Sequence, residues 1–135
     1  MRILLDTHFV LWFAKGDRRF PTELLKLVED SSNKILVSEV SLLEIAIKHA
    51  RNPIAMPYSA EEFTRLCEDA AFGVRPLTRE AIFAYGTLAF DKVGDLHKDP
   101  FDRLLIAQAK SEQMLFATHD RLLALYEEPL VKVFA

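Results

Sequence analysis

The sequence predicts an α/β protein whose largely parallel sheet is covered by helices on both faces. Short apolar runs rich in β-branched residues alternate with longer segments of helical periodicity. Such alternation is typical of strand–helix–strand connections, which keep successive strands parallel. The runs are apolar throughout, as expected for strands that are buried on both sides. With 135 residues, we expect a single domain over residues 1–135 with one substantial core.

Periodicity and turn residues place the individual elements along the chain. Strands are predicted over residues 2–5, 34–38, 74–77, 114–117 and 131–134. Helices are predicted over residues 7–15, 21–31, 39–51, 59–72, 78–89, 100–112 and 120–126, with loops over 52–58 and 90–98. Gly16 and Gly73 are expected to end the helices before them. Ser59 and Glu62 have the spacing of a capping box.

Composition narrows the class of protein. The net charge is −3, which argues against binding duplex nucleic acid by surface charge alone. Cys67 is the only cysteine, so neither a disulfide framework nor a thiolate metal site is expected. No apolar run approaches the roughly 20 residues that a membrane helix needs, and no signal peptide is recognised. We expect a cytoplasmic protein that does not enter a membrane.

Acidic residues follow several of the predicted strands. Asp6 comes directly after the first strand, and Asp120 comes shortly after the strand over 114–117. Glu44 lies in the helix after the second strand. Because the carboxyl ends of parallel strands meet at one edge of a sheet, these three side chains are expected to gather there. Hard oxygen ligands without thiolates favour Mg²⁺ or Mn²⁺.

The segment 97–109 begins a strongly apolar helix with two carboxylates. Asp99 stands at the N-cap position, and Asp102 lies three residues further on. The helical neighbours of Asp102 are all apolar: Leu105, Ile106 and Ala109. A carboxylate on a buried face is costly unless something positive meets it. Asp102 is therefore the stronger candidate ligand, and Asp99 is expected to cap the helix, with an outer role at most.

Each acid also has a purely structural explanation. Asp6 and Asp120 could cap the helices that follow them, and Asp102 could compensate a helix dipole. Glu44 could pair with Lys48 one helical turn later. However, Glu44 stands among apolar residues, and carboxylates that converge repel one another unless a cation holds them.

Four segments together resemble the PIN-domain ribonucleases, and within them the toxins of VapBC-type bacterial toxin–antitoxin pairs. These segments are LLDTH over 4–8, SLLEIAIK over 41–48, HKDPFDRLLIAQA over 97–109 and THD over 118–120. They occur in the family's order, and the similarity covers essentially the whole chain. The resemblance implies a three-layer α/β/α domain with an acidic pocket. That pocket would be built from Asp6, Glu44, Asp102 and Asp120, with Asp99 nearby.

Two positions depart from the pattern of the family. Leu43 stands where this subgroup often has a tryptophan, which affects packing more than chemistry. The segment 51–57 lacks the Gly-Lys-Leu that usually follows the glutamate helix, so its basic contribution to substrate binding is in doubt.

The resemblance implies a metal-dependent endoribonuclease that hydrolyses RNA phosphodiesters and leaves 5′-phosphate and 3′-hydroxyl ends. Mg²⁺, or alternatively Mn²⁺, would be held by Asp6, Glu44, Asp102 and Asp120. Thr7 would orient Asp6, or would simply begin a helix. Arg103 would contact a phosphate or orient an acid, or would form a plain surface ion pair.

Nearby rings are assigned less central roles. His8, His97 and His119 lie close to the acids, but a site rich in oxygen ligands does not favour them as metal ligands. The aromatic residues that follow Asp6 are Phe9, Trp12 and Phe13. We expect them to belong to the core or to an interface rather than to stack on bases.

The resemblance also implies partners: a small cognate antitoxin over the acidic pocket, an RNA substrate and a homodimer formed through helices. The candidate surfaces are Phe63, Leu66 and Phe72, or the aromatic helix after Asp6. Two other functions remain open. A phosphatase with an aspartyl nucleophile would need an acid two residues after Asp6, where His8 stands. A PIN-like module could instead bind a protein without catalysis.

Overall fold

The computed structural model describes residues 1–135 and contains one sheet of five strands. All four strand pairings are parallel, and the strand order is β3-β2-β1-β4-β5. The strands are β1 (Arg2–Leu5), β2 (Lys34–Ser38), β3 (Gly73–Arg75), β4 (Leu115–Thr118) and β5 (Val131–Val133). The predicted parallel sheet is confirmed.

Helices connect the strands along the chain. They are α1 (Thr7–Lys15), α2 (Thr22–Glu29), α3 (Glu39–Arg51), α4 (Ala60–Asp69), α5 (Arg79–Tyr85), α6 (Phe90–Val93) and α7 (Pro100–Glu112). Two 3₁₀ turns complete the set, Gly94–Leu96 and Arg121–Tyr126. None of the helices is both long and apolar enough to cross a bilayer.

The central strand β1 divides the core into two layers. Ile3 and Leu5 pack on one face of the sheet, in a cluster that includes Phe9 of α1. Leu4 points to the opposite face, where it joins a second cluster with Leu105 of α7. This alternation follows from the period of two residues along a strand. Helices therefore cover both faces, and the α/β/α arrangement predicted for the chain is confirmed.

The strand order reverses beside β1. From β1 the chain builds outward through β2 to β3, and it then returns to the other side of β1 as β4. Leu5 at the end of β1 pairs with Ala117 of β4. In open parallel sheets, ligands bind outside the carboxyl ends of the strands at such a reversal. Asp6 and Asp120 follow the two strands that flank this point.

Several local signals act as the sequence predicts. Gly16 ends α1 in the left-handed conformation, at a φ of 62°. Ser59 and Glu62 form the capping box at the start of α4, where each side chain accepts a 3.1 Å hydrogen bond from the other residue's backbone.

The end of α4 differs from the prediction. The helix stops at Asp69 rather than Phe72, and Ala71 adopts the left-handed conformation at a φ of 59°. Gly73 does not end the helix but begins β3, opposite Leu36. A Cβ at Gly73 would lie 2.9 Å from Leu36 Cδ2, so the glycine leaves room for the side chain of Leu36 on the neighbouring strand.

Other element boundaries differ because tertiary contacts override local pattern. The predicted loop over 90–98 contains α6 and a 3₁₀ turn, anchored by the buried Val93. The helix predicted over 78–89 ends at Tyr85, and the last predicted helix is the 3₁₀ turn Arg121–Tyr126. The strand predicted over 114–117 lies one residue later, which makes Thr118 its final residue.

One proposed interaction surface is wrong. Phe63 and Phe72, suggested as exposed, are 0% and 5% accessible and belong to the core, and Leu66 packs against the same cluster. Phe63 and Phe72 are therefore not available to a partner, and Leu66 is half-buried. Phe9 is also fully buried, and Trp12 packs against the same core cluster.

Cys67 is expected to resist alkylation in the folded protein. Its side chain is fully buried, and burial raises the pKa of the thiol to about 11. At pH 8 roughly one thiol in a thousand is then ionised, against about a quarter in the unfolded chain. Mass spectrometry after iodoacetamide treatment should show one adduct in denaturant and little in buffer. Rapid labelling of the native protein would contradict this placement.

Candidate metal centre

Asp6 is held rigidly where β1 ends. Its backbone N–H donates to Ala117 O at 3.0 Å, which continues the pairing of β1 with β4. The side chain is 4% exposed, and Thr118 Oγ1 donates to its Oδ2 at 2.7 Å. The carboxylate makes no capping hydrogen bond to α1. The capping explanation therefore does not apply to Asp6.

Asp120 is linked to Asp6 by the hydroxyl of Thr118, which contacts both residues. Its backbone N–H donates to Thr118 Oγ1 at 3.1 Å, so one buried hydroxyl joins the two acidic positions. Unlike Asp6, Asp120 does cap, because its Oδ1 accepts from Leu122 N at 2.9 Å. Its other carboxylate oxygen is not used in this cap. The sequence analysis did not identify Thr118 as a site residue. The only sequence feature that could have indicated it is its position at a strand end, two residues before an acid.

Glu44 is buried near the other acids, as expected for the site, and it also forms the ion pair with Lys48 that was its structural explanation. Its side chain is 4% exposed, yet Lys48 Nζ donates to its Oε2 at 2.6 Å. Thr7 Oγ1 lies 2.8 Å from the other oxygen and 2.8 Å from Ser41 Oγ. Since Glu44 can only accept, Thr7 donates to it and accepts from Ser41. Thr7 therefore orients Glu44 rather than Asp6.

The two carboxylates at the start of α7 have different roles. Asp99 caps the helix, since its Oδ1 accepts from the backbone N–H groups of Phe101 at 2.8 Å and Asp102 at 3.4 Å. The side chain of Asp102 takes no part in the cap. Its Oδ2 instead contacts His97 Nε2 at 3.0 Å, so the group that meets this half-buried carboxylate is an imidazole.

A chain of hydrogen bonds holds that imidazole. His97 Nδ1 lies 2.8 Å from the hydroxyl of Tyr126, and Arg103 Nε donates to the same hydroxyl at 2.8 Å. Arg103 also donates to His97 O at 2.6 Å. Because arginine can only donate, the Tyr126 proton is directed to Nδ1, and Nε2–H is left to donate to Asp102 when that carboxyl is ionised. Arg103 thus forms no surface ion pair and acts on Asp102 through His97.

These contacts leave an excess of negative charge. Burial, followed by the charges of Asp6, Asp99, Glu44 and Asp120, raises the pKa of Asp102 to about 8. Burial likewise raises the pKa of Asp6. Burial also lowers the pKa of His97, so its ring is neutral at pH 7 and adds no positive charge. Lys48 is the one cation in direct contact with these acids, and it binds Glu44.

A cation fits this arrangement. One carboxylate oxygen each from Asp102 and Asp120, and one ring nitrogen of His97, lie within 4.8 Å of one another. Asp6 and Glu44 are close enough for their charges to raise the pKa of Asp102. The structure therefore brings the four predicted acids to one edge. It places His97 among them, but both ring nitrogens of His97 are already hydrogen-bonded, so the carboxylates remain the candidate ligands. A divalent cation would offset their repulsion.

Comparison with known proteins places this geometry in a family. The family model for the PIN domain matches residues 3–128, so the chain belongs to the PIN domain family. No curated protein matches the sequence.

Solved structures share the fold at low sequence identity. VapBC2 from Rickettsia felis, bound to a promoter DNA fragment, matches with a TM-score of 0.68 and 17% identity, over 98% of this chain and 97% of that one. DNA-bound VapBC from Salmonella typhimurium matches with a TM-score of 0.65 and 15% identity, over 98% and 96%. A toxin–antitoxin complex from Klebsiella pneumoniae matches with a TM-score of 0.64 and 18% identity, over 98% of both chains. At these identities the likeness shows the fold.

Asp102→Asn is expected to change how stability depends on pH in the metal-free protein. The pKa of Asp102 is about 8 in the fold and about 3.9 when unfolded. The folded state therefore keeps a proton that the unfolded state releases. This contribution to stability is complete below about pH 4 and is lost as the pH rises towards about 8. In EDTA, the Tm of the wild type relative to the variant should fall across that range.

The matched control is Asp69→Asn, an exposed acid at the end of α4, whose curve should run parallel to that of the wild type. A divalent cation added at pH 8 should raise the Tm of the wild type more than that of Asp102→Asn, because the cation replaces the missing proton. Parallel curves for the wild type and Asp102→Asn in EDTA would show that Asp102 carries no raised pKa.

Proposed function

We propose that this chain is a metal-dependent endoribonuclease that acts as the toxin of a bacterial toxin–antitoxin pair. The observation that carries the proposal is the convergence of Asp6, Glu44, Asp102 and Asp120 at the sheet reversal, with Lys48 as the only cation in direct contact with them. Membership of the PIN domain family supports nuclease chemistry. Similar solved structures that are toxin–antitoxin complexes support the toxin assignment.

The donor set suits Mg²⁺, with Mn²⁺ as the alternative. Asp6, Asp102 and Asp120 offer carboxylate oxygens, which hard cations prefer. Lys48 and Thr7 already donate hydrogen bonds to the two oxygens of Glu44. Glu44 would therefore contribute its negative charge beside the three aspartates. When bound, divalent cations supply Lewis-acid chemistry: they lower the pKa of water and neutralise charge on a phosphodiester.

The protein's own residues prepare the site for that chemistry. Thr118 keeps Asp6 and Asp120 in fixed relation through one hydroxyl. His97, itself held by Tyr126 and Arg103, fixes the rotamer of Asp102. Such supporting contacts orient ligands and commonly change metal affinity or activity by about 10- to 100-fold when removed. Asp99 contributes by fixing the start of α7.

The proposed function implies partners and a location. A cognate antitoxin would cover the acidic edge, where a basic side chain could replace the cation's charge. RNA is the proposed substrate, and a homodimer through helices is the proposed assembly. A toxin that cleaves cellular RNA would act in the cytoplasm.

Asp6→Asn and Asp102→Asn are expected to lower the rate of RNA cleavage in Mg²⁺ by roughly 100-fold or more, since each removes a ligand rather than a supporting contact. Asp99→Asn should keep most of the activity, because asparagine caps helices as well as aspartate does. Initial rates on a single-stranded RNA, followed by gel electrophoresis, measure this difference. Asp69→Asn is the control for loss of a remote charge.

Undiminished cleavage by Asp6→Asn would remove Asp6 from the mechanism. Titration calorimetry with Mg²⁺ and Mn²⁺ distinguishes the nuclease from a PIN-like module without catalytic activity. A wild-type protein that binds neither ion would favour a PIN-like module that binds a protein without catalysis.

A further inference from the structure

A second concave site borders the acidic edge. It is a cleft of about 530 Å³, within the range of sites that take small organic groups. Residues from α1, from the α1–α2 connection and from the chain after β4 form its walls. We call it the arginine cleft, defined by Trp12, Arg18, Arg19, Phe20, His119 and Arg121.

The charge of the cleft is opposite to that of the whole chain. The protein has a net charge of −3, but three arginines line this one site. Arg19 is paired, since its NH2 group donates to Asp17 Oδ2 at 2.8 Å. Arg18 and Arg121 are exposed and form no ion pair with any carboxylate in the protein. Two unneutralised guanidinium groups therefore remain for an external anion.

Aromatic rings form the inner wall of the cleft. The Arg19 guanidinium carbon lies 4.7 Å from the centroid of the Trp12 ring, and the His119 ring lies 4.8 Å from the same indole. His119 Nδ1 is buried without a hydrogen-bond partner, so packing rather than hydrogen bonding holds this ring in place. Planar arginine and aromatic surfaces beside free cationic groups are what proteins use to bind single-stranded nucleic acid.

The cleft adjoins the acidic edge. His119 directly precedes Asp120, and its ring lies 5.3 Å from that of His8, two residues after Asp6. A polyanion that approaches four carboxylates is repelled, even where a cation offsets part of their charge. Neighbouring arginines supply the attraction that the acidic edge lacks.

We propose that the arginine cleft binds the segment of single-stranded RNA adjacent to the phosphodiester at the acidic edge, an inference that rests on the proposed nuclease function. Arg18 and Arg121 contact backbone phosphates, and one base packs against the wall formed by Trp12, Arg19 and His119. The cleft thus supplies affinity for the substrate, and the carboxylates supply the chemistry.

Trp12 is the only tryptophan in the chain, so its fluorescence reports directly on the cleft. We expect a single-stranded RNA oligonucleotide to quench it saturably in Asp6→Asn protein, which prevents cleavage, in Mg²⁺. Arg18→Gln combined with Arg121→Gln should raise the Kd by roughly 10-fold and lower the salt slope of log K by about 1.4, at about 0.7 per phosphate contact.

The matched control is Arg65→Gln combined with Arg79→Gln, two exposed arginines outside the cleft that form no ion pair. It makes the same change in net charge and should leave the Kd and the salt slope unchanged. In protein with Asp6 intact, the cleft double variant should raise KM for RNA cleavage with little change in kcat, because it removes binding rather than chemistry.

The outcomes separate this inference from the proposed function. If the wild type cleaves RNA but the cleft double variant keeps its KM, Kd and salt slope, the cleft assignment is overturned while the nuclease function stands. If the wild type neither cleaves RNA nor shows quenching by it, both fail. If polyglutamate quenches Trp12 as strongly as RNA does, the cleft is a site for acidic peptides and the RNA assignment is overturned.

Discussion

Negative charge exceeds positive charge at the edge where β1 and β4 end, and this excess determines the properties of the site. Burial raises the pKa of both Asp6 and Asp102, and neighbouring carboxylates add to the effect at Asp102. Lys48 contacts Glu44 alone, and no lysine or arginine forms an ion pair with the other acids. Folding tolerates this cost because the sheet and two helix starts determine where the backbone lies. The cost falls when a proton or a divalent cation reaches the edge.

Polar contacts with little freedom hold the acids in this unfavourable arrangement. The hydroxyl of Thr118 serves both Asp6 and Asp120. On the other side, Arg103, Tyr126 and His97 form a chain that ends on Asp102. Both ring nitrogens of His97 and the hydroxyl of Tyr126 are hydrogen-bonded within that chain, which holds the imidazole in place. The protein therefore presents its carboxylates at fixed positions before any ligand arrives, which limits the reorganisation that binding requires.

Spatial separation of charge reconciles an acidic protein with an anionic substrate. Net charge describes the whole surface, but a strand of RNA meets only the part along which it lies. The carboxylates gather outside β1 and β4, while Arg18 and Arg121 border the adjoining cleft. Asp17 binds Arg19 and so keeps it beside Trp12. One edge of the sheet thus carries an acidic site and a basic site next to each other.

The sequence by itself determined the fold class, most element positions, the capping roles of Ser59 and Asp99, and the convergence of Asp6, Glu44 and Asp120. These properties follow from periodicity and from the parallel order of strands, which are local or topological. Only the tertiary structure decided which contacts each acid makes. Asp6 and Thr118 are 112 residues apart, and pattern within one segment carries no information about such a pair. The same reason applies to the contact between His97 and Tyr126, which are 29 residues apart, and to the cleft, whose members come from three separate segments that only folding brings together.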